Sequence, residues 1–118
     1  MKIPFMKAQG AGNDFIIVDK NVDFIRKSKK VIKRLCDRRF GVGCDQLILL
    51  KKISSYYQVT FYNSDGSLGK NCGNGLRCAY KFLVEVKKVK KAVIKTHKFL
   101  HFGTVSYTHL TLPTKRIV

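Results

Sequence analysis

The sequence lacks a long apolar segment. No run among its 118 residues approaches the roughly 18 consecutive apolar residues of a membrane-spanning helix. The N-terminal stretch MKIPFMKAQGAGNDF has no apolar core of the kind found in secretion signals. We therefore expect a cytoplasmic protein with no membrane-spanning segment. Because 45% of the residues are hydrophobic, the composition indicates a folded single domain rather than a disordered chain.

The sequence also lacks the paired cysteines that typically bind metal. Its four cysteines, at positions 36, 44, 72 and 78, form no CxxC pair, and none of the three histidines clusters with them. This spacing argues against a zinc site, so we expect no metal. Without a secretion signal, free thiols are favoured over disulfides, and a catalytic role for a thiol has to be considered.

Acidic residues are scarce. Seven Asp and Glu stand against 24 Lys and Arg, which gives a net charge of +17, and such an excess can indicate a nucleic-acid-binding protein. Here Lys outnumbers Arg 18 to 6, and the lysines concentrate in residues 26–34 and 87–98 with apolar residues between them. Two solvated faces of a basic domain explain this pattern at least as well. A basic nucleic-acid-binding module therefore stays an alternative function, and we expect no nucleic-acid partner.

What the sequence does contain is a succession of strand and helix patterns. One helix is predicted over residues 25–39, with Gly41 able to end it. A second, over residues 76–86, has an apolar arc so wide that it must be covered on more than one side. We therefore expect an α+β fold, with a mixed, mostly antiparallel sheet curled around a central helix. Strands are predicted at residues 15–19, 47–50 and 57–62, and two more within 91–102.

Three islands rich in glycine and asparagine stand out: GAGNDF at residues 10–15, FYNSDGS at 61–67 and NCGNGLRC at 71–78. Each lies at a strand end or a helix start, where side chains and backbone amides can converge on a small ligand.

In the third island, Cys72 precedes the start of a helix. The free amides there carry the positive end of the helix dipole, so they can bind a carboxylate and favour a thiolate. A thiolate beside a bound carboxylate suits proton abstraction from the adjacent carbon. A helix cap with a buried cysteine explains these eight residues about equally well.

Four motifs in order make the chain resemble the N-terminal half of diaminopimelate epimerases: GAGNDF, RRFGVGCDQLILL, FYNSDGS and CGNGLRC. The resemblance covers about residues 5 to 103. Proline racemase-like enzymes typically have CGHG in place of CGNG, and phenazine-biosynthesis-type isomerases lack this cysteine. Asn74 together with Cys72 therefore favours the diaminopimelate branch, and a related amino-acid racemase is the alternative within enzymes.

The resemblance implies one half of a two-domain fold and a cofactor-free epimerisation in lysine biosynthesis, which interconverts LL- and meso-diaminopimelate. A thiolate removes the α-proton and a thiol returns one from the opposite face, and Cys72 matches the first of these cysteines. Relatives suggest a homodimer for the full-length parent. The matching substrate-binding positions are Asn13, Gln46, Asn63, Gly73 and Asn74.

The chain departs from the family pattern in three places. Gln9 stands where histidine is common in the family, and no cysteine follows Cys78 that could act from the opposite face. The tail VSYTHLTLPT resembles a translated sequencing adaptor. We therefore expect an N-terminal domain over residues 1–104, non-native read-through over 105–118 and no activity of this chain alone. A genuine divergent strand is the alternative for the tail.

The remaining cysteines are predicted to be structural. Cys36 lies in the apolar stripe of the first predicted helix, and Cys78 is expected to face the core from the second. Cys44 is expected to be a small packing residue. Asp14 and Asp65 are expected to serve in capping and turn formation rather than in substrate binding.

Overall fold

The computed structural model describes residues 3–54, 56–70, 73–89, 92–96, 100–103 and 111–117. The helices are α1 (Val22–Arg26), α2 (Lys29–Cys36) and α3 (Gly73–Glu85). The strands are β1 (Pro4–Gly10), β2 (Asn13–Val18), β3 (Gln46–Ile53), β4 (Tyr56–Asn63), β5 (Ala92–Lys95), β6 (Leu100–Gly103) and β7 (Thr111–Ile117).

Within the described residues these strands form one sheet in the order β6-β5-β4-β3-β2-β1-β7. The pairs β2/β3 and β4/β5 are parallel, and the other four neighbouring pairs are antiparallel. The predicted mixed, mostly antiparallel sheet is therefore confirmed. No helix in the described part of the chain is long and apolar enough to cross a membrane.

The hairpin between β1 and β2 is closed by the first glycine-asparagine island. Gly10 pairs with Asn13, which leaves a two-residue turn at Ala11 and Gly12. Their φ angles are +50° and +89°, as a type I′ hairpin turn requires at both central positions. Glycine adopts this conformation freely, whereas alanine does so at a cost.

Both faces of the sheet are buried because the strands carry apolar residues at successive positions. One face packs against α3 through residues that include Phe15, Ile48 and Phe61. The other packs against α1 and α2 through residues that include Ile16 and Leu47. Neighbouring residues of one strand therefore enter two separate cores, as the side-chain alternation of a strand requires. Helix α3 contacts β1, β2, β3 and β5, in agreement with its predicted central position.

The prediction of one helix over residues 25–39 is wrong, because the segment contains two helices. Helix α1 ends at Arg26, and Ser28 starts α2 by accepting a hydrogen bond at 3.2 Å from the Val31 amide. A serine side chain satisfies an otherwise free amide in this way. Helix α2 ends at Cys36, well before Gly41, because Asp37 is already extended.

The other predicted elements are found with shifted ends. Strand β2 starts two residues before the predicted strand. The two strands predicted within residues 91–102 correspond to β5 and to β6, which ends one residue later, although residues 91 and 97–99 lie outside the described part. The backbone of residues 111–117 pairs with β1 as β7. Residues 105–110 of the tail lie outside the described part, and the origin of the tail stays a prediction.

Candidate active site

Three of the predicted substrate-binding residues lie at one end of the sheet. Gln46 begins β3, where it pairs with Phe15 of β2 on one side and with Asn63 of β4 on the other. Asn13 begins β2, two residues before Phe15. Because residues two apart in a strand share a face, Asn13, Gln46 and Asn63 all lie on the face that α3 covers.

Two of these amides are joined by a hydrogen bond. Gln46 Nε2 donates to Asn63 Oδ1 at 3.3 Å, and Asn63 Nδ2 donates to Ser67 Oγ at 3.0 Å. Both amide side chains are half-buried. A Cβ added to Gly69 would lie 3.0 Å from Gln46 Nε2 and 3.1 Å from Asn63 Oδ1. The close approach of Gly69 was missed by the sequence reasoning, because no local pattern around it indicates which side chains it meets.

The second island, FYNSDGS, forms a tight turn that positions Asn63. The Asn63 amide donates to the Ser67 carbonyl at 2.8 Å, and the Gly66 amide donates to the Asn63 carbonyl at 2.9 Å. Asp65 Oδ1 accepts from the Ser67 amide at 2.8 Å and from its hydroxyl at 2.5 Å. These bonds lower the pKa of Asp65. The predicted turn-forming role of Asp65 is confirmed.

Helix α3 begins at the same end of the sheet. A Cβ added to Gly75, in its first turn, would lie 2.5 Å from Phe61 Cε1 and 3.3 Å from Phe15 Cε1. Each phenylalanine is two residues from one of the site asparagines, Asn63 and Asn13. Gly75 therefore allows the helix to pack closely on the sheet.

The first residues of α3 are open to a ligand. Gly73 is exposed, and a Cβ there would meet nothing within 4 Å. Asn74 is half-buried, and its Oδ1 accepts a hydrogen bond from Arg77 Nη2 at 3.1 Å. Cys72, the predicted catalytic residue, directly precedes Gly73 in the sequence and lies outside the described residues.

A cluster of charged side chains lies on the opposite face of the sheet, behind the amides. We call Lys7, Asp14, Arg38 and Asp45 the Asp14 cluster. Arg38 Nη1 and Nη2 donate to the two Asp14 oxygens at 2.9 and 2.8 Å, and Lys7 Nζ lies 2.9 Å from Asp14 Oδ2. The Arg38 hydrogen bonds, with smaller contributions from Lys7, hold the pKa of Asp14 well below its usual range. Asp14 thus forms ion pairs rather than the predicted cap or turn.

Asp45 completes the Asp14 cluster by bonding the start of β2 to the start of β3. Its Oδ2 accepts from the Asp14 amide at 3.0 Å, while Asp14 Oδ1 accepts from the Asp45 amide at 2.8 Å. Arg38 also bonds Asp45 Oδ1 at 3.1 Å. Asp14 directly follows Asn13, and Asp45 directly precedes Gln46. The cluster therefore holds the backbone segments that carry these two amide side chains. Sequence reasoning missed Lys7 and Arg38, because the pairing depends on contacts between distant segments.

Comparison with known families and proteins adds independent information. The family model described as diaminopimelate epimerase matches residues 5–98. The diaminopimelate epimerase of Leptospira biflexa is 43% identical over 101 residues, which cover 83% of this chain and 36% of that protein. The diaminopimelate epimerase of Flavobacterium psychrophilum is 41% identical over 103 residues, which cover 85% and 40%. The chain thus spans between a third and two fifths of the length of these curated relatives.

Solved structures share the fold at low sequence identity. A phenazine biosynthesis protein of the PhzF family from Enterococcus faecalis has a TM-score of 0.68 at 11% identity. The match covers 88% of this chain and 40% of that protein. A methylitaconate-delta-isomerase has a TM-score of 0.63 at 20% identity, covering 81% and 32%. These similarities concern the fold, and they confirm the predicted fold class.

Proposed function

The chain belongs to the diaminopimelate epimerase family, and we propose that it is the N-terminal domain of an enzyme that interconverts LL- and meso-diaminopimelate without a cofactor. One observation carries the proposal. The amides of Asn13, Gln46 and Asn63 lie at one end of the sheet, on the face covered by α3, and α3 begins at that same end.

Binding of an amino acid at this site would use neutral groups. The amide side chains can accept from an ammonium group and donate to a carboxylate without adding a charge next to a thiolate. Gly73 and Asn74, at the start of α3, would hold the carboxylate of the reacting end, because the free amides of a helix start favour an anion. The open space at Gly73 is consistent with such an approach.

The chemical step that we propose is proton exchange at the α-carbon. Cys72 as a thiolate takes the α-proton, and a thiol on the opposite face returns a proton, which inverts the stereocentre. An unperturbed cysteine has a pKa of about 8.5, and a helix start lowers it. Since the α-proton is a very weak acid, preorganised donors and exclusion of water must stabilise the transition state.

The opposite-face thiol would come from a second domain of the full-length parent, for which we propose a homodimer. We assign residues 1–104 to the N-terminal domain and propose that 105–118 are non-native. The family match ends at residue 98.

A chimeric enzyme tests the proposal. Residues 5–98 of this chain would replace the matching segment of the Leptospira biflexa diaminopimelate epimerase, and epimerisation of LL-diaminopimelate would be measured, with proline assayed in parallel. We expect turnover of diaminopimelate and none of proline. Replacement of Cys72 by alanine should lower kcat by at least about 10³-fold, because the proton acceptor is lost.

The matched control is Cys78→Ala, which removes a thiol from the core side of α3. It should leave kcat within a few-fold of the chimera. A folded chimera without activity on diaminopimelate, or a Cys72→Ala chimera that keeps its turnover, would contradict the proposal. Turnover of proline instead would favour the related racemase.

A further inference from the structure

We propose that Cys36 and Cys44 are a dithiol pair that a hydroperoxide converts into a reversible intramolecular disulfide. Neither residue takes part in the epimerisation proposed above, and the inference does not depend on that function. It concerns a site on the other face of the sheet, in the core beneath α2.

The positions of the two sulfur atoms carry the inference. Cys36 is the last residue of α2, and Cys44 lies in the loop before β3. The two Sγ atoms are 3.5 Å apart, and a disulfide bond of about 2.05 Å would require them to approach by about 1.5 Å. Rotation and small displacements of two side chains can supply this movement.

The backbone already holds the two segments together. The Cys44 amide donates to the Cys36 carbonyl at 3.2 Å, and the Gly43 amide donates to the Leu35 carbonyl at 3.0 Å. The loop is also held from outside, because Lys7 Nζ donates to the Gly43 carbonyl. Bridging the cysteines would therefore join chain segments that are neighbours in the reduced protein.

The environment of the pair gives the two thiols different roles. The Cys44 thiol donates a hydrogen bond to Cys36, which lowers the pKa of Cys36, and the nearby Lys7 ammonium group acts in the same direction. The same hydrogen bond, together with burial, raises the pKa of Cys44. Cys36 is thus the attacking thiolate, and Cys44 is the thiol that resolves the intermediate.

A small oxidant has a route to the pair. Both cysteines line an open cavity of about 450 Å³, whose wall also includes Lys33, Arg38 and Arg39. Each cysteine is only 2% exposed, so a bulky reagent is excluded from the sulfurs. Hydrogen peroxide is close to water in size and suits this restricted access.

The reaction balances with hydrogen peroxide as the oxidant. The Cys36 thiolate attacks one peroxide oxygen, the O–O bond breaks, and Cys36 sulfenic acid and hydroxide form. The Cys44 thiol then attacks the Cys36 sulfur, the S–S bond forms, and water leaves. In sum two thiols and one peroxide give one disulfide and two waters, and a dithiol such as dithiothreitol reverses the change by thiol–disulfide exchange.

Peptide mapping of the 118-residue chain tests the proposal. The reduced, folded protein would be treated with hydrogen peroxide, alkylated, digested with trypsin and analysed by mass spectrometry. Trypsin releases Cys36 in residues 35–38 and Cys44 in residues 40–51. We expect these two peptides to be recovered mainly as one disulfide-linked species, which dithiothreitol separates.

Three controls define the result. The link should form equally in a Cys72→Ser variant, should be absent from Cys44→Ala, and should leave Cys78, a buried thiol of α3, fully alkylated. Oxidation in urea should lower the share of the Cys36–Cys44 link among all disulfides by about half, since the unfolded chain closes the shorter loop between Cys72 and Cys78 at least as readily. Separate recovery of the two peptides from the folded protein, or the same share of the link in urea, would overturn the proposal.

Discussion

Asn13 and Asp14 are neighbours in the chain, yet they serve opposite faces of the sheet. Asn13 lies on the α3 face, whereas Asp14 is bound by Arg38 and Lys7 on the α2 face. The same division separates Gln46 from Asp45. At the scale of single residues, Asn13 and Gln46 thus each have a neighbour that anchors the backbone from the opposite face of the sheet.

The Asp14 cluster makes stability depend on pH in the acid range. The pKa of Asp14 is depressed in the folded state. The contribution of its carboxylate to folding stability is therefore present above the unfolded pKa of about 3.9 and is lost as the pH falls towards the folded pKa. We expect Asp14→Asn to lower the free energy of unfolding by about 1–2 kcal/mol at pH 7. In urea unfolding curves at pH 7, 4 and 3, the difference from wild type should shrink below pH 4.

The control for this prediction is Asp23→Asn, which removes an ion pair with Lys51 between two exposed side chains. It should change the urea midpoint little at pH 7. A loss of stability in Asp14→Asn no larger than that in Asp23→Asn would contradict the anchoring role of the cluster.

Tyr80 provides a second test at this scale. Within the described part of the chain, its hydroxyl is the buried side-chain group that lacks a hydrogen-bond partner, and burial raises its pKa. Because Tyr80→Phe removes an unsatisfied polar atom, we expect the free energy of unfolding to stay unchanged or rise by up to about 1 kcal/mol. Chemical denaturation of the wild type and of Tyr80→Phe measures this change in the free energy of unfolding. A loss above about 1 kcal/mol would show that the Tyr80 hydroxyl is hydrogen-bonded in solution.

At the scale of elements, the contact between α3 and the sheet decides where the helix begins relative to the amides. Gly75 lies against Phe61 and Phe15 with no space for a side chain. Two glycines of one island thus have different roles, since Gly73 faces open space and Gly75 faces the core.

These two glycines form a matched pair for mutagenesis. Gly75→Ala should lower the free energy of unfolding by about 1–3 kcal/mol, because the added methyl group overlaps Phe61 and forces α3 away from the sheet. Gly73→Ala should change it by no more than about 0.5 kcal/mol. Thermal and urea unfolding measure both, and equal effects of the two changes would contradict the packing described here.

At the scale of the whole molecule, the described chain presents one set of proposed binding groups on one sheet. It spans between a third and two fifths of the length of its curated relatives, and no cysteine follows Cys78 in its sequence. A two-thiol reaction needs a group on each side of the α-carbon, and the acid and base act as a unit.

We therefore predict that the isolated chain does not catalyse the exchange. Purified protein would be incubated with LL-diaminopimelate in heavy water, and deuterium at the α-carbon would be followed by NMR or mass spectrometry. Uptake should stay at the level of a protein-free sample, while the active chimera serves as the positive control. Rapid uptake by the isolated chain would show that one thiol is sufficient.

Much of the fold could be predicted from local patterns. The apolar runs and the wide apolar arc of α3 predicted most strands, the central helix and the fold class, because a strand buried on both faces is continuously apolar and a helix covered on more than one side has a wide apolar arc. The break between α1 and α2 was missed, since Ser28 had to be recognised as a helix cap within a continuous helical pattern. The burial of Cys36, Cys44 and Cys78 was predicted correctly.

By itself, then, the sequence determined the family, the glycine-asparagine islands and the identity of the proposed binding residues, since these are properties of short segments. Only the tertiary structure decided that Asn13, Gln46 and Asn63 share one face, that Arg38 and Lys7 bind Asp14, and that Cys36 meets Cys44. The reason is physical: strand register and helix packing join residues far apart in the chain, and no local pattern contains those distances.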